Sequence, residues 1–319
     1  MTTVSKSSSV SFAPATVANV GAGFDVLGFA LYQPGDHVVA RFNNTGKVAV
    51  KAITGDGGKL PLDAHLNTAS VAVMKFLYHL RSDQGIDLEV HKKMPLGSGL
   101  GSSAASAVAA VVAANDLLGN PLEKSALLPF ALEGERVACG AAHADNAAPS
   151  LLGGFVLIRS YEPLDIVPLS TPNELYAVVI HPHIEIRTKD ARDILKKTIP
   201  LKQAIVQWGN IAGLVAGLLK SDYDLIGRSL SDVIVEPVRS ILIPGFDAVK
   251  RSAIEAGALG CSISGSGPSV FALTQSLSTS EKVADAMQTE FLAHHIDSDR
   301  FISAVNRDGA TILSEHHYQ

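Results

Sequence analysis

Between residues 10 and 53 the apolar positions come in short runs, VSFAPATVAN, DHVVARF and KVAVKAI, separated by turn-forming residues and closed by GDGG. Short apolar runs bounded by Gly, Asn and Asp are the pattern of strands, so an N-terminal sheet is expected. The period changes at NTASVAVMKFLYHL (67–80), where apolar residues recur at helical spacing behind Asn67 or Thr68 as cap. IDLEVHKKM (86–94) returns to strand character, and helices follow over about 102–118 and 122–137. LLGGFVLIRS is then a strand with Gly153 and Gly154 at its start.

Beyond the segment Pro163 to Pro172 the pattern differs. LYAVVIHP has the continuous apolar run of a buried strand, and helical periodicity covers about 189–232 and 246–257. GCSISGSGPSVFALT has the form of a hairpin, followed by a helix near 280–294 and a strand at about 300–313. A domain boundary is placed near residue 170, giving units of 1–170 and 171–319. Strands and helices come in mixed order rather than strict alternation, so the expected class is α+β. Trp208 and the adjacent IAGLVAGLL read as core or a helix-packing seam. Gly213 and Gly217, four apart, would permit close helix approach, as in a homodimer.

Composition narrows the function. The 319 residues are 47% hydrophobic and 18% charged, a globular balance. A net charge of -5 offers no basic field for a polyanion, so a small-molecule partner is expected rather than nucleic acid. Cys139 and Cys261 have no metal-ligand or disulfide spacing and read as buried thiols in a reducing compartment. The start, MTTVSKSSSVSFAPATVANV, lacks the run of about 7 to 15 apolar residues of a signal peptide. The most apolar windows are alanine-dominated and stop short of the roughly 18 residues a membrane span needs. No membrane partner and a cytoplasmic location are therefore expected.

The stretch KKMPLGSGLGSSAASAVAAVVAAND (92–116) packs Gly97, Gly99 and Gly101 into five positions before an alanine-rich helix. The P-loop pattern fails for want of its lysine, and the dinucleotide fingerprint fails because Ser102 stands at its third glycine. The protein-kinase set is absent too. The underlying physics remains: glycines expose backbone N–H groups, and Ser102 or Ser103 adds hydroxyls at a helix N-terminus. An anion site at about 97–103 follows, with a plain tight turn as the alternative.

PLGSGLGSSAA (95–105) resembles the phosphate-loop motif of the GHMP kinase superfamily at every fixed position, and SISGSGPSVFAL (262–273) resembles the superfamily's C-terminal glycine-rich motif. FAPATVANVGAGFDVLGFAL (12–31) and HADNAAPSLLGGF (143–155) resemble the homoserine kinase branch. The resemblance implies an N-terminal domain with a left-handed β-α-β unit, like that of a ribosomal protein and an exception to the right-handed rule, and a ferredoxin-like C-terminal domain. It implies ATP and Mg2+ as cofactors, L-homoserine as the acceptor and O-phospho-L-homoserine, on the route to threonine, as product. ATP would be held by Pro95, Leu96, Gly97, Ser98, Gly99, Leu100, Gly101, Ser102, Ser103, Ala104 and Ala105. Gly265, Ser266 and Gly267 would approach from the second domain.

Moving a phosphoryl group asks chiefly for alignment and charge neutralisation, and magnesium takes only one or two protein oxygens. The resemblance puts those oxygens on Ser103 and Glu135; a solvated helix face beside Arg136 is the alternative for Glu135. For the acceptor, Asn19 and Asp25 can converge because Gly21 and Gly23 lie between them, with the acid suited to an ammonium. The resemblance points to Arg192 and Arg239 as the carboxylate clamp, a task for which a planar fork is apt; surface arginines are the alternative. Asn146 stands where several sister kinases carry an aspartate base. Since an amide cannot take that proton, the resemblance implies a reaction without a protein base, Asn146 orienting the hydroxyl. Adjacent residues on a helix point about 100° apart, so Asp145 is not expected to face the acceptor as well. His143, three residues before Asn146, would share its helix face, with a satisfied core imidazole as the alternative. Another superfamily kinase, of the mevalonate type, would carry the aspartate at 146. A non-catalytic binding module would dispense with Glu135.

Overall fold

The computed structural model describes residues 6–314. The first half comprises β1 (Ser8–Ala18), β2 (Leu27–Asn43), β3 (Val48–Thr54), α1 (Thr68–Leu80), β4 (Gly85–His91), α2 (Ser102–Leu117), α3 (Leu128–Cys139), α4 (Ala144–Leu152), β5 (Phe155–Tyr161) and β6 (Leu164–Leu169). The second comprises β7 (Tyr176–Pro182), α5 (Thr188–Asp193), α6 (Leu201–Lys220), α7 (Tyr223–Ser229), α8 (Glu236–Arg239), α9 (Phe246–Glu255), β8 (Gly260–Ile263), β9 (Val270–Thr274), α10 (Leu277–Ala293), β10 (Ser298–Ala304) and β11 (Thr311–Leu313).

Two sheets organise the molecule. The larger runs β11-β1-β2-β4-β3, with β5 pairing a different stretch of β2 and β6 pairing β5. Its pairs are antiparallel except β3 with β4, which run parallel and are joined through α1. The long β2 can serve two neighbours because its far end pairs β4 while Leu27–Phe29 pair β5. The second sheet, β10-β7-β9-β8, is antiparallel. With α9 and α10 it makes the order β-α-β-β-α-β of a ferredoxin-like unit, into which α5 to α8 are inserted after β7.

Helix α2 explains the alanine run that follows the glycines. Fourteen of its residues are buried, so it threads the interior and has no polar face to keep in water. Small side chains let α1, α3 and α4 pack around it, and Ser11 on β1 donates its hydroxyl to the Ala109 carbonyl at 2.6 Å. The core crosses between the halves: the Phe29 ring lies 4.5 Å from Phe155 and 6.0 Å from Phe271. Asn67 caps α1 as its position predicts, its Oδ1 accepting from Ala69 N–H at 3.0 Å.

Some boundaries differ from the pattern's expectation. Pro129, at the first turn of α3, can neither donate a hydrogen bond nor follow a regular helix, so residues 124–127 form only a 3-10 turn. The span expected to be helical from 189 to 232 is broken by Pro200 before α6 and by a left-handed Ser221 after it, where Asp222 caps α7. Gly213 and Gly217 do bring helices close, but the partner is α7 of the same chain: a Cβ at either would strike Ser229 or Ile226. Trp208 is 58% exposed rather than in a packing seam.

The last strand is divided. Asn306 donates to the Leu31 carbonyl and accepts from the N–H groups of Asp308 and Gly309, turning the chain so that β11 pairs with β1 of the first sheet. Cys261 is buried, and desolvation pushes its thiol up to about 12; the side chain of Cys139 lies outside the described residues. No helix among the described residues is long and apolar enough to cross a membrane.

Candidate active site

The two glycine-rich loops touch. Gly99 has φ 77°, and a Cβ there would come within 2.5 Å of the Ser264 carbonyl and 2.8 Å of that of Gly267. Only a residue without a side chain permits that approach in that conformation. Ser264 donates its hydroxyl to Gly99 O at 2.7 Å, and Gly265 N–H reaches Ala18 O at 2.9 Å. Gly101, with φ 68°, stands against Thr16 and Asn146 in the same way. The hairpin expected around 260–274 is β8 and β9, with its turn docked on the phosphate loop.

A cavity of about 450 Å³ opens between these loops. Its lining includes Asn19, Asp25, Leu96, Gly97, Ser98, Gly99, Gly101, Ser102, Ser103, Glu135, His143, Asn146, Arg192, Arg239, Gly265 and Ser266. The structure thus gathers residues up to 247 positions apart in the chain. Leu100, Ala104 and Ala105 do not line it; their side chains are fully buried and serve packing. Pro95 and Gly267 are not part of the lining either.

The segment from Asn19 to Asp25 folds into a tight turn, with Asn19, Gly21 and Asp25 all at positive φ. Asn19 fixes it: its Oδ1 accepts from Asp25 N–H at 2.8 Å and its Nδ2 donates to Gly265 O at 2.9 Å. The amide is therefore occupied in joining the turn to the second glycine loop. Asp25 receives a bidentate fork from Arg192, at 2.9 and 2.8 Å, which holds the guanidinium's pKa above its ordinary value. Arg239 is only 3% exposed. Its Nε donates to Ala191 O and its Nη1 to Gly265 O, both at 3.0 Å. Burial, and then the charge of Arg192, pull its pKa down to about 10.

Glu135 points inward from α3 while Arg136 points outward to Glu133 at 3.2 Å, so the solvated-face alternative does not describe it. Its Oε1 is buried without a hydrogen-bond partner, and its Oε2 lies 3.8 Å from His143 Nδ1. Ser102 Oγ is likewise buried and unpartnered at the first turn of α2. Such oxygens suit a hard cation, and Glu135 with Ser103, which also lines the cavity, would meet magnesium's small demand for protein ligands. Among the described residues no group of three or more His, Cys, Asp or Glu is gathered as for a transition metal.

Asn146 sits in the first turn of α4, its Oδ1 accepting from Thr16 Oγ1 at 2.9 Å. Asp145 lines the same cavity, contrary to the helix-face argument, because α4 meets the cavity end-on through its first turn. Asp145 is fully buried and its Oδ1 has no partner. Burial, helped by the charge of Asp25, pushes its carboxyl up to about 7 against the opposing pull of His143.

Sequence reasoning missed several neighbours. Lys92, at the end of β4, is buried with Asp36 of β2 as its ion-pair partner. It also donates to Ser102 O at 2.7 Å and Ser106 Oγ at 2.6 Å, beneath the first turn of α2. Desolvation lowers its pKa, and Asp36 opposes the shift. A lysine three residues before the motif and an acid inside an apolar strand were the available signals. Leu60, Pro61 and Leu66 add an apolar wall from the loop before α1, and Thr188 shares a 3.3 Å hydrogen bond with Ser266.

These features define a small-molecule kinase of the GHMP type. Residues 67–154 match the family described as GHMP kinases N terminal domain, and residues 214–294 match GHMP kinases C terminal; the chain belongs to this family. Homoserine kinases are among its near-full-length relatives. That of Chloroherpeton thalassium is 55% identical over 313 residues, covering 95% of this chain and 98% of the relative. That of Chlorobaculum tepidum is 54% identical over 315 residues, covering 95% and 97%. The crystal structure of homoserine kinase from Cytophaga hutchinsonii superposes with a TM-score of 0.96 at 59% identity, over 98% of this chain and 99% of that one. A mevalonate kinase from L. major, at 18% identity and TM-score 0.73, shares the fold.

Proposed function

We infer that the protein transfers the γ-phosphoryl group of ATP to the side-chain hydroxyl of L-homoserine. The observation that carries this reading is the charge layout of one cavity. The phosphate loop and Glu135 share its lining with the charged set Asp25, Arg192 and Arg239, Arg239 donating to Gly265 O of the second glycine loop, and Asn146 stands close to Gly101. Leu60, Pro61, Leu66 and Leu96 offer apolar surface to a nucleobase. The amides of 97–103 and the N-terminus of α2 hold the phosphates, and the buried Lys92, neutralised by Asp36, braces that turn through Ser102 O.

Glu135 and Ser103 would hold Mg2+, which offsets phosphate charge and fixes its orientation. Asp25 and Arg192 now satisfy one another; a zwitterionic amino acid supplies a partner to each, the ammonium to Asp25 and the carboxylate to Arg192 with Arg239. Asp145, held largely uncharged up to about pH 7, adds a polar group beside Asp25 rather than a second charge. Asn146, an amide, orients the hydroxyl and takes no proton, so the proton leaves with the transferred phosphate.

The test is ADP release with Mg-ATP against L-homoserine, D-homoserine, L-serine, L-threonine and mevalonate, with a control lacking acceptor. Release that depends on L-homoserine is expected. Release with mevalonate alone would overturn the assignment of the acceptor end.

A further inference from the structure

We propose that Phe24 is a positioning residue that holds both arginines of the acceptor site in place before the acceptor's carboxylate arrives. The two guanidiniums share one aromatic ring: the guanidinium carbon of Arg192 lies 5.3 Å from the Phe24 centroid and that of Arg239 lies 5.0 Å away. They are like charges in a cavity wall, and they repel: burial first, and then the charge of Arg192, lower the pKa of Arg239. Asp25 offsets the charge of Arg192 directly. Arg239 has no such carboxylate: its hydrogen bonds go to the carbonyls of Ala191 and Gly265. Asp25, Asp232 and Asp145 attract it without a hydrogen bond, and the negative face of an aromatic ring adds an attraction at contact that desolvation strengthens.

The same turn delivers both devices. Asn19 locks the segment against the second glycine loop, and the residues it fixes are the ring of Phe24 and, next to it, the carboxylate of Asp25. Phe24 is only half-buried. Its volume is thus not what the core depends on, and a leucine would fill the space without supplying a π face.

This proposal rests on Arg192 and Arg239 being the carboxylate clamp, and the experiment separates the two. Arg239→Gln tests the clamp: the acceptor KM should rise while the ATP KM holds. Phe24 is then replaced by mono-, di- and trifluorinated phenylalanine, which drain the ring's negative face at nearly constant shape, and by Tyr and Leu. The acceptor KM should climb stepwise with each fluorine, by about tenfold at the third, with kcat and the ATP KM little changed. Tyr should restore the native value and Leu should not. An acceptor KM that is flat across the fluorinated series, while Arg239→Gln raises it, would overturn the role of Phe24 and leave the clamp standing. An acceptor KM unmoved by Arg239→Gln would remove the clamp and this proposal together. A Leu variant that fails to fold leaves the fluorinated series to decide.

Discussion

Arg192 closes both oxygens of the Asp25 carboxylate in a planar fork, across 167 positions of chain. The side chains are 40% and 33% exposed, and an ion pair that wet contributes at most about 1 kcal/mol to stability. Stability therefore does not account for it, and in the proposed reading a ligand that displaces this pair brings a charge for each partner.

Arg192→Gln should accordingly raise the L-homoserine KM about tenfold or more, the scale of one charge-assisted hydrogen bond, with the ATP KM and the melting temperature nearly unchanged. Analogues lacking the ammonium or the carboxylate should bind the native protein weakly, since each leaves one member of the opened pair unsatisfied. Steady-state kinetics and calorimetric titration check both points. Equal rises in the two KM values would place Arg192 outside the acceptor end.

The pair of Lys92 and Asp36 behaves differently because both side chains are essentially dry. Lys92→Met leaves the Asp36 carboxylate buried without its cation, which typically costs about 3 to 5 kcal/mol. The double variant Lys92→Met with Asp36→Asn should recover much of that loss. Urea unfolding of the single and double variants checks this, and a double variant as unstable as the sum of its parts would show that the two act independently.

How much of this was legible depends on whether a feature is local. The phosphate loop, the capped α1 and the alanine-rich α2 are written in consecutive residues, so spacing reported them. The turn from Asn19 to Asp25 was legible for the same reason, through its glycines. The fork from Arg192 to Asp25 was not, since each side chain satisfies the other only after α5 and the turn have been folded together. Asp36 was passed over because it heads the run DHVVARF, where an acid reads as turn chemistry rather than as a buried partner. Asp145 was misjudged because the 100° step between neighbours separates them around a helix axis, whereas α4 meets the cavity at its end. The return of β11 to β1 follows from hydrogen bonds of Asn306 to partners as distant as Leu31, which no periodicity encodes.

Glu135→Gln preserves size and removes the charge that an orphaned oxygen would give a cation. The Mg2+ concentration for half-maximal activity should rise by roughly tenfold, with the L-homoserine KM unchanged. Proton relaxation with Mn2+ and nucleotide provides a readout apart from turnover, and it should show weakened metal binding. Unchanged metal affinity alongside lost activity would move Glu135 from the metal to the positioning of His143, whose Nδ1 is 3.8 Å from its Oε2.

Asp145 makes stability depend on pH in an unusual direction. Its carboxyl holds its proton up to about 7 in the folded protein, whereas an unfolded chain releases it near 3.9. Between those values the folded state binds more protons than the unfolded state, so stability falls as pH rises, by up to about 1.4 kcal/mol per unit, and levels off above 7. Beyond burial, the charge of Asp25 raises the group and those of His143 and Arg192 lower it, and together they set where the step lies. Asp145→Asn should flatten that slope and make the protein more stable than the native one above pH 7, as read from urea unfolding between about pH 5 and pH 8. The same variant speaks to the chemistry. If no protein base is used, its kcat should stay within about tenfold of native while the acceptor KM rises; a fall in kcat of about 10²- to 10⁴-fold, the worth of a positioned base, would make Asp145 the proton acceptor instead.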